Sequence, residues 1–142
     1  MIAPMEVTVR STDQKLGYTA AMRDHPPVTI DYFPPLGEGK GYTPLELLLI
    51  SLASCSGGTL GLLLRKTGKK VDAIEVKAHG TRRDPHPTSF RKIVLSFTVK
   101  SDDVTGEDVQ KAIQLAEESV CPVWAMVKGN AEVVTEFRII AC

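Results

Sequence analysis

The stretch TPLELLLISLASCSGGTLGLLLRK, residues 43–66, decides how this chain folds. Thr43, Pro44 and Glu46 predict a helix start. The threonine caps, the proline suits the first helical position, and the glutamate three residues after the cap completes a capping box. The helix runs on to Arg65 or Lys66, where basic residues meet the negative end of the helix dipole and Gly68 follows. From Leu47 to Leu64 no side chain is charged, which fits a membrane span in length, and Gly57 and Gly61 add a G-x-x-x-G spacing. Against that, Ser51, Ser54, Ser56, Thr59 and three glycines dilute the run, and charged, strand-like segments flank it. The better reading is a central helix buried on all sides, by its own domain or by a partner chain.

Upstream, Met5, Val7 and Val9 alternate with Glu6, Thr8 and Arg10, and Val28, Ile30 and Tyr32 alternate with Thr29 and Asp31, predicting short antiparallel strands. Pro34-Pro35 and the glycines of residues 36–41 predict a flexible turn before the helix. Downstream, strands are expected around Ile74–His79 and Ile93–Val99, joined by a hairpin-like loop through Arg82–Pro87. Val109, Ala112, Ile113, Ala116 and Val120 recur at helical spacing after Thr105, and that helix should stop before Pro122, which pushes its predecessor out of helical dihedrals. Pro122 to Lys128 reads as a short further helix closed by Gly129-Asn130, and Ala131 to Ile139 as a last strand. The expected architecture is one α+β domain over 1–142, a mostly antiparallel sheet around one very apolar helix.

The 17 basic and 17 acidic side chains of the 142 residues cancel, without a basic block to hold nucleic acid or an anionic membrane. Small molecules or protein partners are expected instead, with no nucleic-acid and no membrane partner. The first residues lack the pattern of a secretory signal, so a cytoplasmic location is expected. In that reducing compartment a cysteine pair points to catalysis, redox chemistry or metal binding rather than a structural disulfide. Zinc-ligand spacing is missing: there is no C-x-x-C, and His25, His79 and His86 do not cluster with the cysteines in sequence.

Two thiols stand out. If Cys121 caps the helix opening at Pro122, free backbone N–H groups and the positive dipole end stabilise its thiolate; the plain alternative is a small apolar residue at a helix junction. Cys55 lies about three turns into its helix, where the dipole effect has faded, so activation must come from neighbouring groups; the alternative is a core cysteine. Cys142, at the end of the chain, reads as a frayed free thiol.

Gly41-Tyr42-Thr43-Pro44-Leu45-Glu46-Leu47-Leu48-Leu49 and Leu52-Ala53-Ser54-Cys55, followed by Cys121-Pro122-Val123 and Lys128-Gly129-Asn130, resemble the OsmC/Ohr family of osmotically induced and organic hydroperoxide resistance proteins. The resemblance spans about Gly37 to Arg138, and Pro-Leu-Glu-Leu-Leu-Leu is similar to the OsmC-like branch rather than Ohr proper. It implies an intertwined homodimer with the apolar helices packed centrally. It also implies a thiol peroxidase of the oxidative stress response. Cys55 would attack an organic hydroperoxide and become a sulfenic acid, Cys121 would resolve it as a disulfide, and a dithiol or lipoyl-bearing protein would reduce the pair, with no metal or organic cofactor.

The family also implies a glutamate and an arginine that hold and activate the attacking thiolate. In this chain Leu45 follows Pro44 and the acid, Glu46, comes one residue later; a one-residue shift turns a helical side chain by about 100°, which leaves capping as its other role. Arg23 is the best positional candidate for the arginine and Arg10 the next. The alternative function is a catalytically weak or inactive member, a ligand-binding or redox-sensing dimer.

Overall fold

The computed structural model describes residues 2–142. Strands β1 (Thr8–Ser11), β2 (Tyr18–Ala21) and β3 (Val28–Ile30) precede helix α1 (Pro44–Lys66). Then come β4 (Ala73–Arg82), β5 (Phe90–Lys100), α2 (Gly106–Leu115), a π-helical turn (Ala116–Val120), α3 (Pro122–Val127) and β6 (Glu132–Ile140). The fold is α+β, with two three-stranded sheets, β1-β2-β3 and β4-β5-β6, and one long helix. Every strand pairing is antiparallel except β5 with β6, which run parallel with Phe97 opposite Phe137. The sheet is thus mostly antiparallel as expected, but split in two. Strand β2 lies outside the expected strands, because Tyr18-Thr19-Ala20-Ala21 carries no apolar alternation.

The chain divides into two compact units, Met1–Leu48 and Leu49–Cys142. In the first, Asp31 is 2 % exposed and its carboxylate accepts the N–H groups of Tyr32, Glu38 and Lys40 at 2.8, 3.1 and 3.2 Å. Burial opposes its charge, yet these three donors hold its carboxyl below the usual range. The glycine-rich loop that composition marks as flexible is therefore fastened to a buried anion.

The second unit holds the hydrophobic core. Leu52, Leu60 and Leu64 of α1 meet Ile93, Leu95, Phe97 and Val99 of β5, with Val109, Ala112 and Ile113 of α2 and Trp124 and Val127 of α3 completing the cluster. Central strand β5 supplies every second residue to it, as the period of a strand requires. Gly57 lets α1 approach β4, since a Cβ there would lie 2.7 Å from Val76 Cγ2. At the end of α1, Gly68 takes a left-handed φ of 85°.

Helix α1 is long and apolar enough to cross a membrane by length and composition. Its Leu52, Leu60 and Leu64 are nonetheless fully enclosed by the core. Burial on all sides is not what this chain achieves alone: Ser51, Ser54, Gly58 and Leu62 form an exposed stripe, Leu62 at 50 %.

Candidate active site

Cys55 sits in the middle of α1, half-buried, one turn from exposed Ser51 and Gly58. Cys121 reaches it from far along the chain. Its thiol points at the Cys55 sulfur with the two Sγ atoms 3.0 Å apart. Both cysteines are free. A disulfide needs about 2.05 Å, so the sulfurs are about 1 Å short of a bond.

The local chain explains the position of Cys121. Thr105 caps α2 in a capping box with Asp108, and Val109, Ala112 and Ile113 turn to the core. At Ala116 the helix widens into the π turn, and the Cys121 N–H bonds the Ala116 carbonyl at 2.9 Å, five residues back. Pro122 then excludes helical dihedrals at Cys121, which is extended at φ −76° and ψ 108°. The Cys121 carbonyl accepts the Ala125 N–H at 3.1 Å and so opens α3.

The sequence leaves open whether Cys121 is an activated thiol at a helix cap or a small apolar residue at a helix junction, and its burial favours the second. Cys121 is 2 % exposed. Burial, followed by the hydrogen bond to Cys55, pushes its thiol above the ordinary cysteine value, and the opposing N–H groups of Trp124 and Val123 do not offset them. Helix α3 spans six residues, so its dipole is small against the loss of water. Cys142 is exposed, and hydrogen bonding to Asp72, with lesser burial and acidic neighbours, pushes its thiol up to about 11. Its N–H is held by Asp102 Oδ1 at 3.0 Å, so the terminus is tied rather than frayed.

Glu46 and Arg23 lie in the first unit. The Glu46 carboxylate accepts the Thr43 N–H at 2.8 Å while Thr43 Oγ1 accepts the Glu46 N–H at 3.2 Å. This is the capping box, complete. Along an α-helix, nine residues, the interval in sequence between Glu46 and Cys55, turn a side chain by about 180°. Glu46→Ala is expected to lower stability by about 1 kcal/mol through the lost cap, measured by denaturant unfolding, and to leave the alkylation rate of Cys55 unchanged. Arg23 occupies the turn between β2 and β3, exposed, with a left-handed φ of 53°. Arg10 is on β1 opposite Thr19 and exposed.

The π turn is the feature of the site that sequence reasoning missed. One signal was available: the helical stripe Ala112, Ala116, Val120 places Val120 inside, whereas Val120 is 41 % exposed and Cys121 has the buried place.

The family described as OsmC-like protein matches residues 37–136. Protein YhfA of Escherichia coli K12 is 28 % identical over 102 residues, covering 72 % of this chain and 76 % of the relative. Among solved structures, a hypothetical protein from Aquifex aeolicus VF5 is 26 % identical with a TM-score of 0.86, covering 99 % of both chains. The organic hydroperoxide resistance protein OhrB of Bacillus subtilis has the same fold at a TM-score of 0.65 and 23 % identity, covering 94 % of this chain and 98 % of its own. With its matching span running from the loop before α1 to the middle of β6, and both cysteines inside it, this chain belongs to the OsmC-like protein family.

Proposed function

We propose that the chain is a two-cysteine thiol peroxidase that reduces organic hydroperoxides. The carrying observation is the 3.0 Å approach of Cys121 Sγ to Cys55 Sγ. In this reading the Cys55 thiolate attacks the less hindered peroxide oxygen, breaking the O–O bond and releasing an alcohol, and Cys55 becomes a sulfenic acid. Cys121 displaces the sulfenic hydroxyl as water and forms the Cys55–Cys121 disulfide. A small dithiol or a lipoyl-bearing protein then donates two electrons and two protons and restores both thiols. Cys55 suits the first role because it is the more open of the two and accepts the Cys121 thiol; buried Cys121 suits the second. The hydroperoxide resistance name of a structural relative agrees with the substrate class. The active form is a soluble cytoplasmic homodimer of single-domain subunits.

A second reading keeps the fold and the pair but makes the chain a slow redox sensor or ligand-binding dimer. It draws on Glu46, whose carboxylate is engaged at the Thr43 cap. Catalysis is tested by mixing cumene hydroperoxide, a dithiol and the protein and following peroxide loss. Peroxide consumption is expected in the parent and a loss of about a hundredfold or more in Cys55→Ser, the scale of removing a nucleophile. Undiminished consumption in Cys55→Ser would sink the assignment of the nucleophile, and reversible oxidation without turnover would favour the sensor.

A further inference from the structure

In an unbroken α-helix the Cys121 N–H would bond the carbonyl of Glu117, four residues back. It bonds Ala116 instead, at 2.9 Å, because residues Ala116–Val120 form a π turn that absorbs one residue. Cys121 therefore takes the angular place that helical counting gives to Val120, a difference of about 100°. The burial follows this register: Ala116 at 1 % and Cys121 at 2 % are inside, while Val120 at 41 % is out. Had the α-helix continued, Val120 would face the core, and Cys121 would be turned away from α1.

Pro122 fixes the second half of the geometry. It makes a helical ψ costly at Cys121, and the observed ψ of 108° breaks the helix there. Without the ring, the α2 helix, the π turn and α3 can merge into one helix, with Cys121 drawn into its regular winding.

We infer that the register set by the π turn and the helix break at Pro122 together position Cys121, with Pro122 the positioning residue that holds the second thiol against Cys55. The role in turnover rests on the peroxidase reading; the positioning itself does not. Oxidation by diamide tests it without peroxide: the azo bond takes two electrons and two protons from the two thiols, giving the hydrazine and the Cys55–Cys121 disulfide. The product is read by intact mass, and by fluorescence of the single tryptophan, Trp124, one helical turn after Cys121.

In Pro122→Ala, disulfide formation with diamide is expected to slow by about tenfold or more, since misplacing a reacting atom by about 1 Å costs on that order or above. Amide exchange in β4 and β5 should stay at the parental rate, because a general loosening would accelerate it, whereas Cys55 itself loses the Cys121 thiol as its neighbour. Deleting Ser119, an exposed residue of the π turn, is the companion variant. It shortens the five-residue bond to a four-residue one and leaves Cys121 hydrogen-bonded to Ala116, so a rate within about threefold of the parent is expected from register alone. Parental cross-linking in Pro122→Ala, or a tenfold slowing in the folded Ser119 deletion, overturns the inference. A parent that cross-links with diamide yet does not turn over hydroperoxide overturns the peroxidase reading and leaves the positioning intact.

Discussion

Cys121→Ser is expected to abolish the disulfide and leave Cys55 as a sulfenic acid after one equivalent of cumene hydroperoxide, seen as a 16 Da gain and trapped by dimedone. The first turnover should survive, since the attacking thiol is untouched. Sustained turnover at low reductant should fall about a hundredfold, because a thiol held at contact distance acts at an effective concentration no millimolar reductant matches. Further peroxide should then carry Cys55 to the sulfinic state and inactivate it. In the parent the disulfide step should quicken about tenfold per pH unit across neutrality, since the attacking species is the thiolate and burial holds the Cys121 thiol above its ordinary value. The sign follows from that direction: below a raised pKa each added pH unit multiplies the small thiolate fraction. Stopped-flow fluorescence of Trp124 measures the step. A disulfide detected in Cys121→Ser would transfer the resolving role to Cys142, and a step indifferent to pH would remove Cys121 thiolate from the rate.

What the sequence revealed and concealed divides along local and non-local lines. The start of α1 is legible because three residues within four positions, Thr43 and Glu46 of the capping box and Pro44 at the first helical position, each carry their own physical preference. Strands β4 and β5 were legible because alternating burial leaves a period of two. The parallel pairing of β6 with β5 was not, because register across a long connection is chosen by packing, which no window of residues contains. The capped α2 follows its α-period stripe as far as Ala116, and the continuation of that stripe through Val120 conceals the π turn. The candidate site divides in the same way. Pro122 announces the break at Cys121, but the burial of Cys121 belongs to the non-local core cluster it joins, and that burial opposes the local expectation from the dipole. The exposed stripe of α1 follows the same rule: composition shows an apolar helix, and only the fold shows which side the chain leaves open.

Trp124→Ala is expected to be the most destabilising single substitution near the site, at about 3–5 kcal/mol. Trp124 is 1 % exposed and, among the fully enclosed side chains of the described residues, heads the order by volume. Its helix cannot stand alone, because six residues fall far below the length at which a helix holds in water. The burial of Trp124 and Val127 in the core therefore keeps α3 folded, and α3 in turn anchors the Cys121 carbonyl. For a chain of this size the loss should lower Tm by about 10–15 °C, read by calorimetry. Diamide cross-linking of Cys55 and Cys121 should slow with it, since the end of the π turn loses its support. Trp124→Phe separates size from polarity. The indole Nε1–H is buried without a partner among the described residues, so phenylalanine gives up volume but also removes an unsatisfied donor. The two terms oppose, and a cost of about 1 kcal/mol is expected, well below that of alanine. If phenylalanine proves as damaging as alanine, the indole N–H has a partner in solution and the site is more polar than its burial implies.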